Sequence, residues 1–206
     1  MKVIGITGGV GAGKSTVLNI LKNNFNSYII MADEVSRKLC KKGNQAYEKL
    51  VDIFGDEILD DNGELNRAAL AKIIFSQPNK RIVVNSIIHP LVKQEIVKKI
   101  TELKIKEEYD YVFIEAALLI EDHYNVFCDE IWYIHVSEEI RRKRLKESRN
   151  YSDEKVTSIF KSQLSEDEFR RNSDFVIDNG ESVDSTLKQI RDYLEGWENI
   201  RIVIYF

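Results

Sequence analysis

The chain has 206 residues, of which 43% are hydrophobic and 31% charged, with two prolines, a formal net charge of −4 and a pI near 5.6. That balance suits a soluble, helix-rich protein of one sizeable domain with one or two insertions, and it excludes a disordered or fibrous chain. It leaves no global footprint for a nucleic-acid partner, so an anionic substrate has to be met by a local basic cluster.

Met1-Lys2 leads straight into KVIGIT, residues 2–7, a short buried-strand candidate ended by glycines. That run is too brief for a signal-peptide core, and no later apolar run is long enough to span a bilayer, so a cytoplasmic protein without membrane contact is expected. Cys40 and Cys128 stand alone, without metal-ligand spacing, and read as reduced thiols.

The glycines belong to GGVGAGKS, Gly8 to Ser15, a full match to the Walker A pattern G-x-x-x-x-G-K-[ST]. Val17, Leu18, Ile20 and Leu21 follow at helical spacing, so the loop lies between a strand and a helix. Glycines let the amides of Gly9, Val10, Gly11, Ala12 and Gly13 curl round phosphate oxygens, and the helix N-terminus adds partial positive charge. Lys14 is then expected to bridge the β- and γ-phosphates of ATP, and the Ser15 hydroxyl to ligate Mg²⁺. Thr16 either assists Ser15 or faces the sheet. The dinucleotide fingerprint G-x-G-x-x-G fails, because its third glycine falls on Lys14 or Thr16.

Tyr28–Met31 reads as a second strand, and Asp33 follows it about twenty residues after the loop. With a dinucleotide fold excluded, this acid is expected to orient or deprotonate the hydroxyl being phosphorylated. The alternative is a helix N-cap ahead of EVSRKL. Arg37, one helical turn on, either meets substrate phosphate or pairs with Asp33.

About eighty residues then pass before the next strand, nearly all helical in pattern. AYEKLVDIF and LNRAALAKIIF each carry one apolar face, with a turn at Asn62-Gly63 between them. Pro90 predicts a break near His89 and a new helix opening after it. Further strands are expected at Tyr109–Glu115, Glu130–Val136 and Asp174–Asp178. The fold class is therefore α/β, a P-loop NTPase-type doubly wound parallel sheet of about five strands with a helical insertion and a second, short and basic helical insertion after Val136. The final IRIVIYF is strongly strand-forming and reads as an edge strand or a packed tail. The DDNG and NKRI segments resemble GTPase motifs only in part, since one sits in a helix-connecting turn and the other lacks its Asp.

The ordered combination of these segments resembles the dephospho-CoA kinase family from Ile4 to about Asn179. The resemblance is carried by ITGGVGAGKSTV, MADEVSRKL, FGDEILDDNGELNRAALAKIIF, IIHPLV, IEAALLIE and QLSEDEFRRNSDFVIDN. It implies transfer of the ATP γ-phosphoryl to the 3′-hydroxyl of dephospho-CoA, giving CoA and ADP in the last step of coenzyme A synthesis. Two departures stand out: Met31 replaces the first Asp of the family's Asp-Ala-Asp, and Ala117 to Glu121 reads ALLIE where the family often has Pro-Leu-Leu-Phe-Glu.

The resemblance makes Asp33 the base and Arg67, in LNR, a candidate for the substrate pyrophosphate. It places Arg144, within the basic run IRRKRLKESRNY, as the lid arginine on the transferring phosphoryl, with Arg149 less well aligned. Asn179 either contacts the adenine, as in the family, or is a turn asparagine before Gly180. His89 matches the family but reads as a structural histidine, and Glu115 and Glu121 are alternative second-sphere partners for Mg²⁺ or local ion-pair partners. The organisation expected is a nucleotide core of residues 1–33, 109–137 and 173–206, a substrate domain of 34–108 and a lid of 138–172. The competing functions are a nucleoside or nucleotide monophosphate kinase and an ATP-binding adaptor without catalysis. The sequence does not fix the oligomeric state, with a monomer slightly favoured.

Overall fold

The structure, a computed structural model, describes residues 1–204, with side chains through Gly196. The helices in chain order are α1 (Lys14–Asn24), α2 (Ala32–Leu39), α3 (Gln45–Phe54), α4 (Arg67–Ser76), α5 (Pro78–Lys106), α6 (Glu138–Arg149), α7 (Asp153–Lys161), α8 (Glu166–Arg171) and α9 (Val183–Ile204). The strands are β1 (Lys2–Thr7), β2 (Ser27–Met31), β3 (Tyr111–Glu115), β4 (Glu130–His135) and β5 (Phe175–Asp178). The chain clusters into two compact units, Met1–Ile29 with Tyr109–Phe206, and Ile30–Glu108.

The first unit is built on one sheet in the order β2-β3-β1-β4-β5, and β1 pairs parallel with both β3 and β4. Parallel strands need crossover helices on their faces, which is why the strand sequences are near-continuously apolar instead of alternating. Ile4, Ile6, Phe113, Trp132 and Ile134 form the core with Val17, Leu18 and Leu21 of α1 and Ile190 and Leu194 of α9. Glu130 is a buried carboxylate at the start of β4, satisfied by Lys2 Nζ at 2.6 Å, Trp132 Nε1 at 2.8 Å and the Tyr193 hydroxyl at 3.2 Å. Three donors on one buried carboxylate offset its desolvation and tie β1, β4 and α9 together.

The second unit packs α3, α4 and α5 around Ala46, Leu50, Phe54, Ile58, Leu70, Val84 and Leu91. Between α3 and α4 the Asp60 carboxylate accepts the amides of Asn62 and Glu64, and Gly63 takes φ +71°, closing the turn that DDNGEL predicts. The turn brings Leu59 and Leu65 into a single antiparallel bridge.

Two expectations are corrected. Pro90 breaks no helix, since α5 runs unbroken from Pro78 to Lys106. An interior proline costs about 3 kcal/mol through its missing N–H and ring clash, but Val84, Leu91, Val92, Ile96, Ile100 and Leu103 are all buried along α5. Their burial, at roughly 1.5–3 kcal/mol for each large side chain, outweighs it. The C-terminal segment is no strand either: α9 carries through to Ile204, while Tyr205 and Phe206 lie outside the described residues.

Candidate active site

β1 ends at Thr7, and the chain turns at once beneath β4. Gly8 has no room for a side chain, because a Cβ there would lie 2.7 Å from the Ile134 carbonyl oxygen. Gly13, at φ +83°, leads into α1 in a left-handed conformation, and its own Cβ would meet the Asn179 amide nitrogen at 2.4 Å. No side chain caps α1. The amides of Gly11, Gly13, Lys14 and Ser15 therefore donate to no protein acceptor among the described residues. Uncommitted amides on a helix N-terminus form an anion cradle.

Lys14 folds back over this loop, donating to the Gly8 carbonyl at 2.7 Å and standing 3.8 Å from Glu115 at the end of β3. Burial holds its ammonium below the usual lysine range; Glu115 opposes that shift, and Arg141 and Arg149 add to it by repulsion. Ser15 and Thr16 are both exposed. Thr16 thus does not face the sheet, which removes one of its two readings.

Asn179, just after β5, is buried with its side chain fully engaged: Nδ2 donates to the Ala12 carbonyl at 2.8 Å, and Oδ1 accepts from the Thr186 hydroxyl at 3.0 Å. It is a strut under the phosphate loop, which a turn asparagine would not be. Arg144 donates to the Asn179 carbonyl at 3.0 Å, so the two come together at the helix end of the loop. Arg149 lies 6.0 Å over the Tyr151 ring.

Two further residues reach the loop. Arg141 donates through Nε to the Val10 carbonyl at 3.0 Å and through Nη2 to Gln163 Oε1 at 2.7 Å. The same Gln163 oxygen accepts the Val10 amide at 3.2 Å. The sequence gives neither a role of its own, although Arg141 belongs to the basic run and Gln163 opens the QLSEDEF segment.

The remaining candidates lie in the helical unit. Asp33 is the second residue of α2, with Met31 at the N-cap, so the capping alternative is excluded. Its carboxylate pairs with Arg37 at 2.6 Å, and both side chains are more than half exposed, at 55% and 57%. An ion pair that open to water holds its partners by roughly 0–1 kcal/mol, so either group can exchange it for a ligand. Arg67 is exposed at the first turn of α4, whose N-cap Asn66 accepts the Ala69 amide. His89 is half-buried inside α5, away from any helix boundary. Glu121, in the sheet unit, is exposed on the turn beyond β3, so of the two acids only Glu115 reaches Lys14. Among the described residues no cluster of three His, Cys, Asp or Glu side chains forms a preassembled metal site.

Comparison with known proteins agrees with this geometry. The sequence model of the dephospho-CoA kinase family matches residues 2–185. A dephospho-CoA kinase of Carboxydothermus hydrogenoformans is 39% identical over 198 residues, covering 96% of this chain and 95% of its own. One from Staphylococcus saprophyticus is 40% identical over 179 residues, covering 86% and 85%. A Thermus thermophilus crystal structure superposes with a TM-score of 0.79 at 26% identity, covering 95% of this chain and 96% of that one. A shikimate kinase from Acinetobacter baumannii, at TM-score 0.51 and 14% identity over 95% and 94% of the two chains, shares the fold alone. The chain belongs to the dephospho-CoA kinase family, ATP-dependent P-loop kinases of the last step of coenzyme A biosynthesis.

Proposed function

We propose that the chain transfers the γ-phosphoryl of ATP to the 3′-hydroxyl of dephospho-CoA with the phosphate loop as ATP site and Asp33 as base. The observation that carries the reading is the loop itself: four amides without a protein acceptor among the described residues, and Lys14 held at its head by the Gly8 carbonyl. The amides hold the β-phosphate, and Lys14 bridges β and γ. Asn179 serves ATP binding through the loop it props, and Arg144 anchors beside it to meet the phosphates.

Mg²⁺ fits the donors present. Ser15 offers an exposed hydroxyl at the helix N-terminus, and Glu115 stands beside Lys14 where it can orient a metal-bound water. When bound, the ion neutralises charge on the β- and γ-phosphates.

In the transfer the bond from the γ-phosphorus to the ADP oxygen breaks, a bond to the 3′-oxygen forms, and the hydroxyl proton passes to Asp33. Arg37, released from Asp33, and Arg67 serve the anionic groups of dephospho-CoA. Residues 34–108 act as the substrate domain and 138–172 as a lid that excludes water. No helix is long and apolar enough to cross a membrane among the described residues. A monomer working in the cytoplasm, without nucleic acid, fits that and the charge balance.

The test is a mass-spectrometric assay with ATP and Mg²⁺, offering dephospho-CoA, AMP, CMP, UMP and GMP in parallel, with Asp33→Asn alongside. Conversion of dephospho-CoA to CoA, reduced about 10²–10⁴-fold in the variant, is expected. Phosphorylation of a monophosphate instead, or full activity in Asp33→Asn, would refute the reading.

A further inference from the structure

Arg141 is the arginine of the α6 basic run whose side chain hydrogen-bonds the phosphate loop itself, and no carboxylate pairs with it among the described residues. Two acids of α6 and α7 are taken by other cations: Glu138 pairs with Arg142 at 3.0 Å, and Asp153 pairs with Arg142 at 3.5 Å and with Lys146 at 2.6 Å. Glu166, the other acid close by, pairs with Arg170 at 2.8 Å and His135 at 3.3 Å. Arg141 itself makes no ion pair among the described residues. Its guanidinium is instead laid 4.3 Å over the Phe160 ring, bonded to the Val10 carbonyl and to Gln163 Oε1. Of its five donors, Nε and one on Nη2 are used by the protein, and Nη1 meets no protein acceptor among the described residues.

The position is as telling as the pairing. The guanidinium fills the space over Gly9, where a Cβ would come within 2.2 Å of Nη2 and 2.8 Å of Nη1. Gly9 is at the strand end of the loop, next to the Gly8 carbonyl that receives the Lys14 ammonium. Two cations thus face the same end of the loop: burial lowers the Arg141 value, and Lys14, lowered chiefly by its own burial, is lowered further by repulsion from Arg141. Arg144 sits at the opposite, helix end, beside Asn179 and Gly13. A half-buried guanidinium with free donors, no counter-ion and a second cation facing it is a site built for an anion that arrives with the ligand. An arginine braced by an aromatic ring and a fixed amide oxygen keeps that geometry before the ligand binds.

We propose that Arg141 contacts the terminal phosphate of ATP, held over Gly9 by Gln163 and Phe160, and so makes the empty loop discriminate a nucleoside triphosphate from a diphosphate. This rests on the assignment of the loop as the ATP site. In the triphosphate complex, Lys14 and Arg141 share the γ-phosphoryl; with the diphosphate Lys14 keeps the β-phosphate, while Arg141 is left without its anion.

The experiment measures ATP and ADP affinity by calorimetry for the wild-type chain, Arg141→Met and Gln163→Leu, with dephospho-CoA turnover and the nucleotide-free melting temperature for each. Arg141→Met is expected to weaken ATP about tenfold while ADP stays within about twofold, and to lower kcat on the order of 10²-fold. Gln163→Leu frees the guanidinium without removing it, and is expected to lower the ATP-over-ADP preference in the same direction by a smaller factor. Added ethylguanidinium should restore part of the Arg141→Met turnover and none of a Lys14→Met variant's. Equal weakening of ATP and ADP would mean that Arg141 only shapes the loop, and an unchanged preference in both variants would mean that it does nothing for the nucleotide; either overturns the proposal. If Arg141→Met does not fold, the Gln163→Leu preference decides alone. A wild-type chain that fails to convert dephospho-CoA would instead overturn the ATP-site reading beneath it.

Discussion

Asn179 offers the sharpest test of how the phosphate loop is held. Replacing it with alanine removes the bond to the Ala12 carbonyl at 2.8 Å and the one from the Thr186 hydroxyl at 3.0 Å, both in buried surroundings. Thr186 keeps a second acceptor, the Ser182 carbonyl at 3.2 Å, whereas among the described residues Asn179 alone donates to the Ala12 carbonyl. Two net hydrogen bonds plus one stranded carbonyl come to about 2–4 kcal/mol. For a chain of this length each kcal/mol moves the melting temperature by about 2–4 °C, so a fall on the order of 10 °C is expected. Thr186→Val should cost less, about 1–2 kcal/mol, because it strands only Asn179 Oδ1. The double variant should fall short of the sum of the two by about 1 kcal/mol, since both substitutions break one shared bond. Urea unfolding with an unchanged m-value would measure all three, and an ATP titration of each would follow the loop. If Asn179→Ala melts like the wild-type protein yet binds ATP poorly, the side chain reaches the nucleotide and is no strut, and the argument fails.

Four other outcomes follow from the same contacts. Asp33→Asn should leave the melting temperature within about 2 °C while activity collapses, because its exposed pair with Arg37 contributes at most about 1 kcal/mol; a large stability loss would show that Asp33 is structural. Met31→Asp should stabilise α2 by about 1 kcal/mol, since Met31 occupies the N-cap without a side-chain bond, and an unchanged unfolding midpoint would count against the capping argument. The lowered Lys14 proton affinity means that the unfolded chain binds more protons between that value and 10.5, so nucleotide-free stability rises with pH across this window. The melting-temperature gain from ATP, which needs the charged ammonium, should shrink over the same window in the wild-type protein and stay flat in Lys14→Met. Finally, burial pushes the Cys128 thiol up to about 12 and raises that of Cys40, so neither should react appreciably with a disulfide reagent at pH 8 until the protein is denatured.

The parts of this protein that the sequence made legible are those whose chemistry is contiguous. Eight residues in a row define the phosphate loop, and five short apolar runs define the strands, because local spacing alone carries both signals. The helix α5 was misread because a proline acts locally while the apolar face that overrides it is spread over Val84 to Leu103. At the end of α9 the edge-strand alternative fails for the opposite reason. IRIVIYF is β-prone taken by itself, but as far as Ile204 it continues a helix already set by Leu187, Ile190 and Leu194 against the sheet. The site showed a third kind of limit. Arg141 and Gln163 are 22 residues apart and meet only because α6, α7 and the turn after them fold back over the loop. No spacing rule on one helix predicts such a meeting. Asn179 was found at its strand exit, but its four-way role at Ala12, Thr186, His135 and Arg144 required the packed structure.

The strand order has a consequence for how the protein is made. β1, at the centre of the sheet, leaves the ribosome well ahead of its two partners, which begin at Tyr111 and Glu130. At ordinary synthesis rates, Val3, Ile4 and Ile6 wait roughly 5–25 s with both hydrogen-bonding edges bare. Through that interval the helical unit can fold on its own local contacts while the future sheet has nothing to pair with. Nascent chains released before β4 emerges thus expose a sticky hydrophobic strand, and the natural fate of such fragments is capture by a chaperone or aggregation.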